Sequence, residues 1–127
     1  MSNANNPDIK SLSPQLLVAD LERAVAFYCS YLGFGVGFRY GDFYAGLERD
    51  HYSLHLKADD TRGAERSGRR DNEHADIVFA VGNISEFYHE VIRQSPEVVV
   101  PLREMPYGRE FYIADPDGYI LAFVETK

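Results

Sequence analysis

Val18-Ala19-Asp20-Leu21 returns 63 residues later as Val81-Gly82-Asn83-Ile84, each copy preceded by an apolar strand-like run and followed by an amphipathic helix-like run. A repeated strand-to-helix junction limits the chain to folds made from one unit used twice. Two βα units that face each other enclose a cleft, so equivalent inward positions of the two halves become candidate ligands or pocket walls. Four similar residues mean little unless their surroundings also match.

The surroundings match. Residues 14–19 read as a strand, and Asp20 suits an N-cap because its carboxylate accepts bonds from the free N–H groups of a first helical turn. Leu21, Ala24, Val25, Tyr28 and Leu32 recur at helical spacing and form one apolar stripe, which Gly33 ends. Residues 34–57 change to short aromatic and β-branched runs broken near Gly41-Asp42 and Asp50, the pattern of three antiparallel strands. In the second half, residues 75–81 read as a strand, and Asn83 with Glu86 has the residue types of a capping box. Ile84, Phe87, Tyr88, Val91 and Ile92 give its stripe, and residues 97–102, 110–114 and 119–125 read as three more strands.

The predicted fold class is α+β: two paired βαβββ modules, residues 12–58 and 74–127, forming a curved mixed sheet around a cleft. Residues 59–73 are polar, carry mixed charge and are too long for a tight turn, so they read as a linker. Residues 1–11 read as a flexible N-terminal tail, leaving residues 12–127 as a single domain. A chain of 127 residues buries enough surface to need neither a disulfide nor a metal merely to hold together.

A net charge of −7 opposes a nucleic-acid or anionic-membrane partner and favours a cationic ligand. The single cysteine, Cys29, excludes an internal disulfide and suits a reducing compartment, so the expected location is cytoplasmic. Cys29 lies in a helical run with no histidine near it in sequence and reads as a small packed thiol, not a nucleophile. The chain shows no apolar run of signal-peptide or membrane-spanning length.

Asp115-Pro116-Asp117-Gly118 is a strong turn signal, in which Pro presets φ, Asp bonds its own backbone and Gly accepts a positive φ. The stretch Phe-Tyr-Ile-Ala-Asp-Pro-Asp-Gly-Tyr that contains it, with Val-Ala-Asp-Leu and Ala-Phe-Tyr near the start, resembles the glyoxalase, bleomycin-resistance and extradiol-dioxygenase superfamily, also called vicinal oxygen chelate proteins. The resemblance covers almost everything from Leu12 to Glu125.

In metal-using members of that superfamily, four inward side chains hold a divalent cation. The resemblance places those positions at Ser13, His55, Asp76 and Ala122. Alanine has no donor and a neutral hydroxyl is a poor ligand for Zn²⁺ or Ni²⁺, so the resemblance implies a lost metal centre unless Gln15 or Glu110 substitutes. Strand alternation turns Ser53, His55 and Lys57 to one face and groups Asp76 with Val78, Glu110 with Tyr112, and Ser13 with Gln15 and Leu17. Glu125 should point the other way. The candidate ligand-binding set is therefore Ser13, Gln15, His55, Asp76, Glu110, Tyr112 and Ala122, with His55 and Asp76 as the candidate acid–base pair if the protein is an enzyme.

Other signals are weaker. His51 and His55 have the spacing of a helical zinc pair, but the alternation around them indicates a strand. Gly33-Phe-Gly-Val-Gly37 has no helix after it, and Gly63-Ala-Glu-Arg-Ser-Gly68 lacks the Lys-[Ser/Thr] of a P-loop. Arg62, Arg66, Arg69 and Arg70 are offset by neighbouring acids and read as a solvated linker or a flap over the cleft. Phe38, Tyr40, Phe43, Tyr44, Tyr107 and Tyr112 fall on or near strands that curve around a cavity, and aromatic walls suit flat or cationic ligands.

Two functions follow as expectations. The first is a homodimeric protein, closest in character to metal-free bleomycin-resistance-like members, that sequesters a small organic molecule with no cofactor. The second is a metal-dependent lyase, isomerase or dioxygenase of the same superfamily, in which the ion acts as a Lewis acid.

Overall fold

The computed structural model describes residues 7–59 and 73–127. Its elements run β1 (Gln15–Val18), α1 (Leu21–Leu32), β2 (Gly35–Tyr40), β3 (Tyr44–Arg49), β4 (Tyr52–Ala58), β5 (Ile77–Ala80), α2 (Ile84–Ile92), β6 (Glu97–Met105), β7 (Gly108–Ala114) and β8 (Ile120–Thr126). They form two four-stranded sheets, ordered β1-β4-β3-β2 and β5-β8-β7-β6. In each sheet the first strand pairs parallel with the last, and the other pairs are antiparallel. Both halves are βαβββ, as predicted, with one sheet per module. Residues 60–72, including the predicted arginine cluster, and residues 1–6 of the predicted tail lie outside the described residues.

The helix α1 forms as its sequence dictates. Asp20 Oδ1 accepts the Arg23 N–H at 3.1 Å, and Gly33 ends the helix in the left-handed region at φ 73°. The predicted stripe Leu21, Ala24, Val25, Tyr28 and Leu32 is buried, together with Phe27. Burial of each large apolar side chain contributes about 1.5–3 kcal/mol, so this stripe is what holds the helix on its sheet. Burial also pushes the Cys29 thiol up, away from the reactive thiolate.

The start of α2 differs from expectation. Asn83 takes a left-handed conformation at φ 53° and its side chain makes no capping bond. Glu125, from the far end of the chain, does the capping. Its carboxylate accepts the Asn83 N–H at 2.9 Å and the Ile84 N–H at 3.1 Å. These donors, the Ile84 N–H foremost, hold the Glu125 carboxyl below the usual carboxylate range. A capping box satisfies the orphan N–H groups locally, whereas here a strand neighbour satisfies them across 41 and 42 residues.

The Asp115-Pro116-Asp117-Gly118 turn does more than reverse the chain. Asp115 is buried and accepts N–H bonds from Asp117 and Tyr119, both at 2.9 Å, and the Tyr28 hydroxyl at 2.6 Å. Asp117 Oδ1 accepts the Ala19 N–H at 2.8 Å. The Tyr119 hydroxyl accepts from the Leu17 N–H at 3.0 Å and donates to the Leu17 carbonyl at 2.8 Å. Tyr119 thus satisfies the outer edge of β1, which has β4 on its other side, and the turn clasps module two onto module one. One apolar cluster runs through both modules, from Leu16 and Tyr28 to Phe111 and Phe123. Pro101 is tolerated in β6 because that strand is at the sheet edge.

Candidate functional site

The face of the first sheet turned away from α1 carries one continuous row of neighbours across four strands. Gln15 pairs with His55, His55 with Gly46, and Gly46 with Phe38. Strand alternation explains the faces. Leu54 and Leu56 are buried beneath the sheet, which leaves Ser53 and His55 half-buried and Lys57 exposed on the other side, as predicted. Gly46 is the enabling residue. A Cβ there would overlap the Phe38 ring, so only glycine lets Phe38 lie across the strand toward His55.

Phe38 meets the His55 ring edge to face at 5.3 Å and stacks with Tyr44 at 6.2 Å. The Tyr44 hydroxyl lies 2.9 Å from His55 Nδ1 and accepts from Gln15 Nε2 at 3.0 Å. Beside this row opens a cleft of about 570 Å³, lined by Ser13, Phe38, Gly46, Glu48, Ser53 and His55 among others. Ser13 Oγ and Ser53 Oγ share a hydrogen bond at its edge. The turn between β3 and β4 completes the rim, with Asp50 and His51 both at positive φ, 53° and 71°, the geometry of a two-residue type I′ hairpin. His51 is therefore a turn residue and His55 a strand residue, not a helical pair.

The equivalent face of the second sheet is arranged differently. Tyr112 pairs with Ala122 and Val78 with Ala122, where Ala122 is only 2% exposed. Glu110, 1% exposed, receives two N–H bonds from Arg103, at 2.9 and 2.6 Å, and the Tyr107 hydroxyl. That bond to Glu110 pushes the Tyr107 phenol up to about 12, and bonds to Glu73 and Glu110 hold Arg103 firmly charged. The Arg103 guanidinium lies 5.9 Å over the Tyr112 ring and reaches Glu73 at 3.0 Å. Asp76 Oδ2 accepts the Ile120 N–H at 2.8 Å, so its carboxylate closes the end of the β5–β8 pair.

Of the seven predicted site residues, Ser13 and His55 line the cleft, and Gln15 stands next to His55 in the row. Asp76, Glu110, Tyr112 and Ala122 belong to the other sheet, and the described lining residues all come from positions 11–55. His55 and Asp76 are thus on different sheets with different partners. Sequence reasoning missed Gly46, Arg103 and the capping role of Glu125. Arg103 had a legible signal: it faces Glu110 across a hairpin centred on Pro106-Tyr107.

The residues at the family's metal positions do not fit a divalent ion. Ala122 offers no donor, Ser13 is bonded to Ser53, and Asp76 is engaged by a backbone N–H. Among the described residues, no group of three or more His, Cys, Asp or Glu converges on one point. Neither is any described helix long and apolar enough to cross a membrane.

Comparison with known proteins agrees with this architecture. Solved structures of similar fold include TioX from Micromonospora sp. ML1, with a TM-score of 0.74 at 18% identity over 93% of this chain and 99% of that one. A bleomycin-binding protein from bleomycin-producing Streptomyces verticillus, complexed with copper(II)-bleomycin, gives 0.70 at 22% identity over 96% and 100%. A lactoylglutathione lyase from Agrobacterium tumefaciens gives 0.71 at 17% identity over 94% and 96%. At these identities the likeness shows the fold alone. No curated protein sequence matches the chain significantly. The sequence profile of one family does match, over residues 10–123, and the chain belongs to that family, the Glyoxalase/Bleomycin resistance protein/Dioxygenase superfamily.

Proposed function

We propose that the protein binds a small, flat organic molecule in the cleft of the first sheet, without a metal ion and without altering it chemically. The observation that carries this reading is the row Gln15, His55, Gly46 and Phe38, where a missing side chain lets an aromatic ring form one wall of an open polar cleft. A volume of about 570 Å³ falls within the range of small-molecule sites. The net charge of −7 favours a cationic ligand, and fold likeness to bleomycin-binding proteins supports a drug-like one. The mismatched metal positions support a metal-independent mode.

The same reading makes the protein a homodimer. All six residues of β2 are exposed, Val36, Phe38 and Tyr40 among them, and Val78 on the second sheet is 65% exposed. A second copy covering these faces removes apolar surface from water and completes the cleft's open side. A cytoplasmic location rests on the single free thiol.

Calorimetric titration of the chelator-treated protein with bleomycin and a panel of cationic aromatic antibiotics tests this. Saturable heat with at least one member is expected, and no heat with any removes the drug-binding reading. Elemental analysis of protein purified without chelator tests the metal-independent mode. Substoichiometric Ni, Zn, Mn and Fe are expected, and a near-stoichiometric ion would favour the metal-dependent enzyme instead.

A further inference from the structure

Gln15, Tyr44 and His55 form a chain of hydrogen bonds whose direction decides what the cleft offers a ligand. Gln15 Nε2 donates to the Tyr44 oxygen at 3.0 Å, and that oxygen lies 2.9 Å from His55 Nδ1. A phenol carries one proton. Among the described residues Nδ1 is the only acceptor that this hydroxyl reaches, because its other bond is the one it accepts from the amide, so the proton goes to the Nδ1 lone pair. A neutral imidazole that accepts at Nδ1 carries its own proton at Nε2. Nε2 has no hydrogen-bond partner among the described residues, and His55 lines the cleft. Strand pairing with Gln15 and Gly46 fixes the backbone at His55, and the Tyr44 bond and the edge contact of Phe38 hold the ring.

We propose that Tyr44 is a positioning residue that locks the neutral form of His55 in the Nε2–H tautomer, so the cleft presents an N–H hydrogen-bond donor beside Phe38 and selects flat heteroaromatic ligands bearing an acceptor nitrogen or carbonyl. The tautomer stands on the bonding chain alone, while the ligand preference rests on the cleft-binding reading above. The arrangement also separates binding from chemistry. A protonated Nε2 has no lone pair for a metal ion or for taking a proton from a substrate, so either role needs the chain to run the other way. Turning the Gln15 amide over would do that: its oxygen would draw the Tyr44 proton, and Tyr44 would accept from Nδ1–H.

Imidazole ¹⁵N NMR on the full chain, at a pH where the ring is neutral, reads the tautomer directly. In the wild type, His55 Nδ1 should be unprotonated and Nε2 protonated. Tyr44→Phe should relax the ring to a mixture, and Gln15→Glu, whose carboxylate can only accept, should reverse it. A structural role for Tyr44 would move neither ratio. Isoquinoline and naphthalene, alike in shape but with and without a ring acceptor, test the ligand half. Isoquinoline should bind roughly fivefold tighter, a preference lost in Gln15→Glu.

A wild-type Nδ1 that carries the proton, or a ratio unchanged in both variants, overturns the tautomer. Equal binding of the two probes overturns the selection of an acceptor. No movement of cleft resonances with either probe counts against the cleft-binding reading itself and leaves the tautomer assigned.

Discussion

The two sheets are built from one pattern and finished in opposite ways. On the first, Ser13, Phe38 and His55 line open space, and the side chain missing at Gly46 is what lets the Phe38 ring form its wall. On the second, Glu110 is sealed by Arg103 and Tyr107, Tyr112 lies under Arg103, and Ala122 is buried. A duplicated scaffold therefore does not imply a symmetric site. One face spends its polar groups on its own hydrogen bonds and contributes rigidity, and the other leaves an imidazole edge and an aromatic ring available.

Substitutions should separate these two roles. Glu110→Ala leaves the Tyr107 hydroxyl without its acceptor and the Arg103 guanidinium with Glu73 alone. Because Arg103 is partly exposed, the loss should be about 2–3 kcal/mol by urea denaturation, with ligand affinity in the first cleft within about twofold of wild type. Gly46→Val should do the reverse. Phe38 is 38% exposed and can swing out, so stability should fall by less than about 1 kcal/mol while ligand affinity falls about tenfold or more by calorimetry. If Gly46→Val instead costs stability and spares binding, the two faces have been assigned the wrong way round.

Smaller effects belong to the joints. Tyr28→Phe removes the only donor that module one gives Asp115 in the described hydrogen bonds, and the loss should be about 1 kcal/mol because two backbone N–H bonds remain. Glu125→Gln should lower Tm modestly near neutral pH. Its folded carboxyl titrates below the unfolded one, so the stability it supplies is present above the unfolded value and is lost as pH falls through the folded value. Thermal scans of wild type and Glu125→Gln should therefore converge on the acid side. A gap that persists at low pH would mean that Glu125 acts by packing and not by capping α2.

Much of this was legible from local chemistry. The repeated junction, the α1 cap at Asp20, the stop at Gly33 and the inward face of β4 all follow from spacing, because each depends on residues a few positions apart. The Asp115-Pro116-Asp117-Gly118 turn was legible as a turn but not as a clasp, since Leu17 and Tyr28 lie far away in sequence. For the same reason Asn83 and Glu86 suggested a capping box that Glu125 replaces: a distant carboxylate with better geometry took the bonds. The site was legible in part. Parity put His55 on the polar face of β4, but it could not tell that Asp76 and Glu110 would be engaged on another sheet, or that a glycine opposite His55 shapes the aromatic wall.

Mapping where a ligand sits tests the contrast between the two faces most directly. With the tightest-binding member of the antibiotic panel added to the chelator-treated protein, backbone amide shifts should centre on Phe38, Tyr44, Gly46, Ser53 and His55 and spare Glu110, Tyr112 and Ala122. Shifts centred on Glu110, Tyr112 and Ala122, with the first sheet silent, would contradict the account.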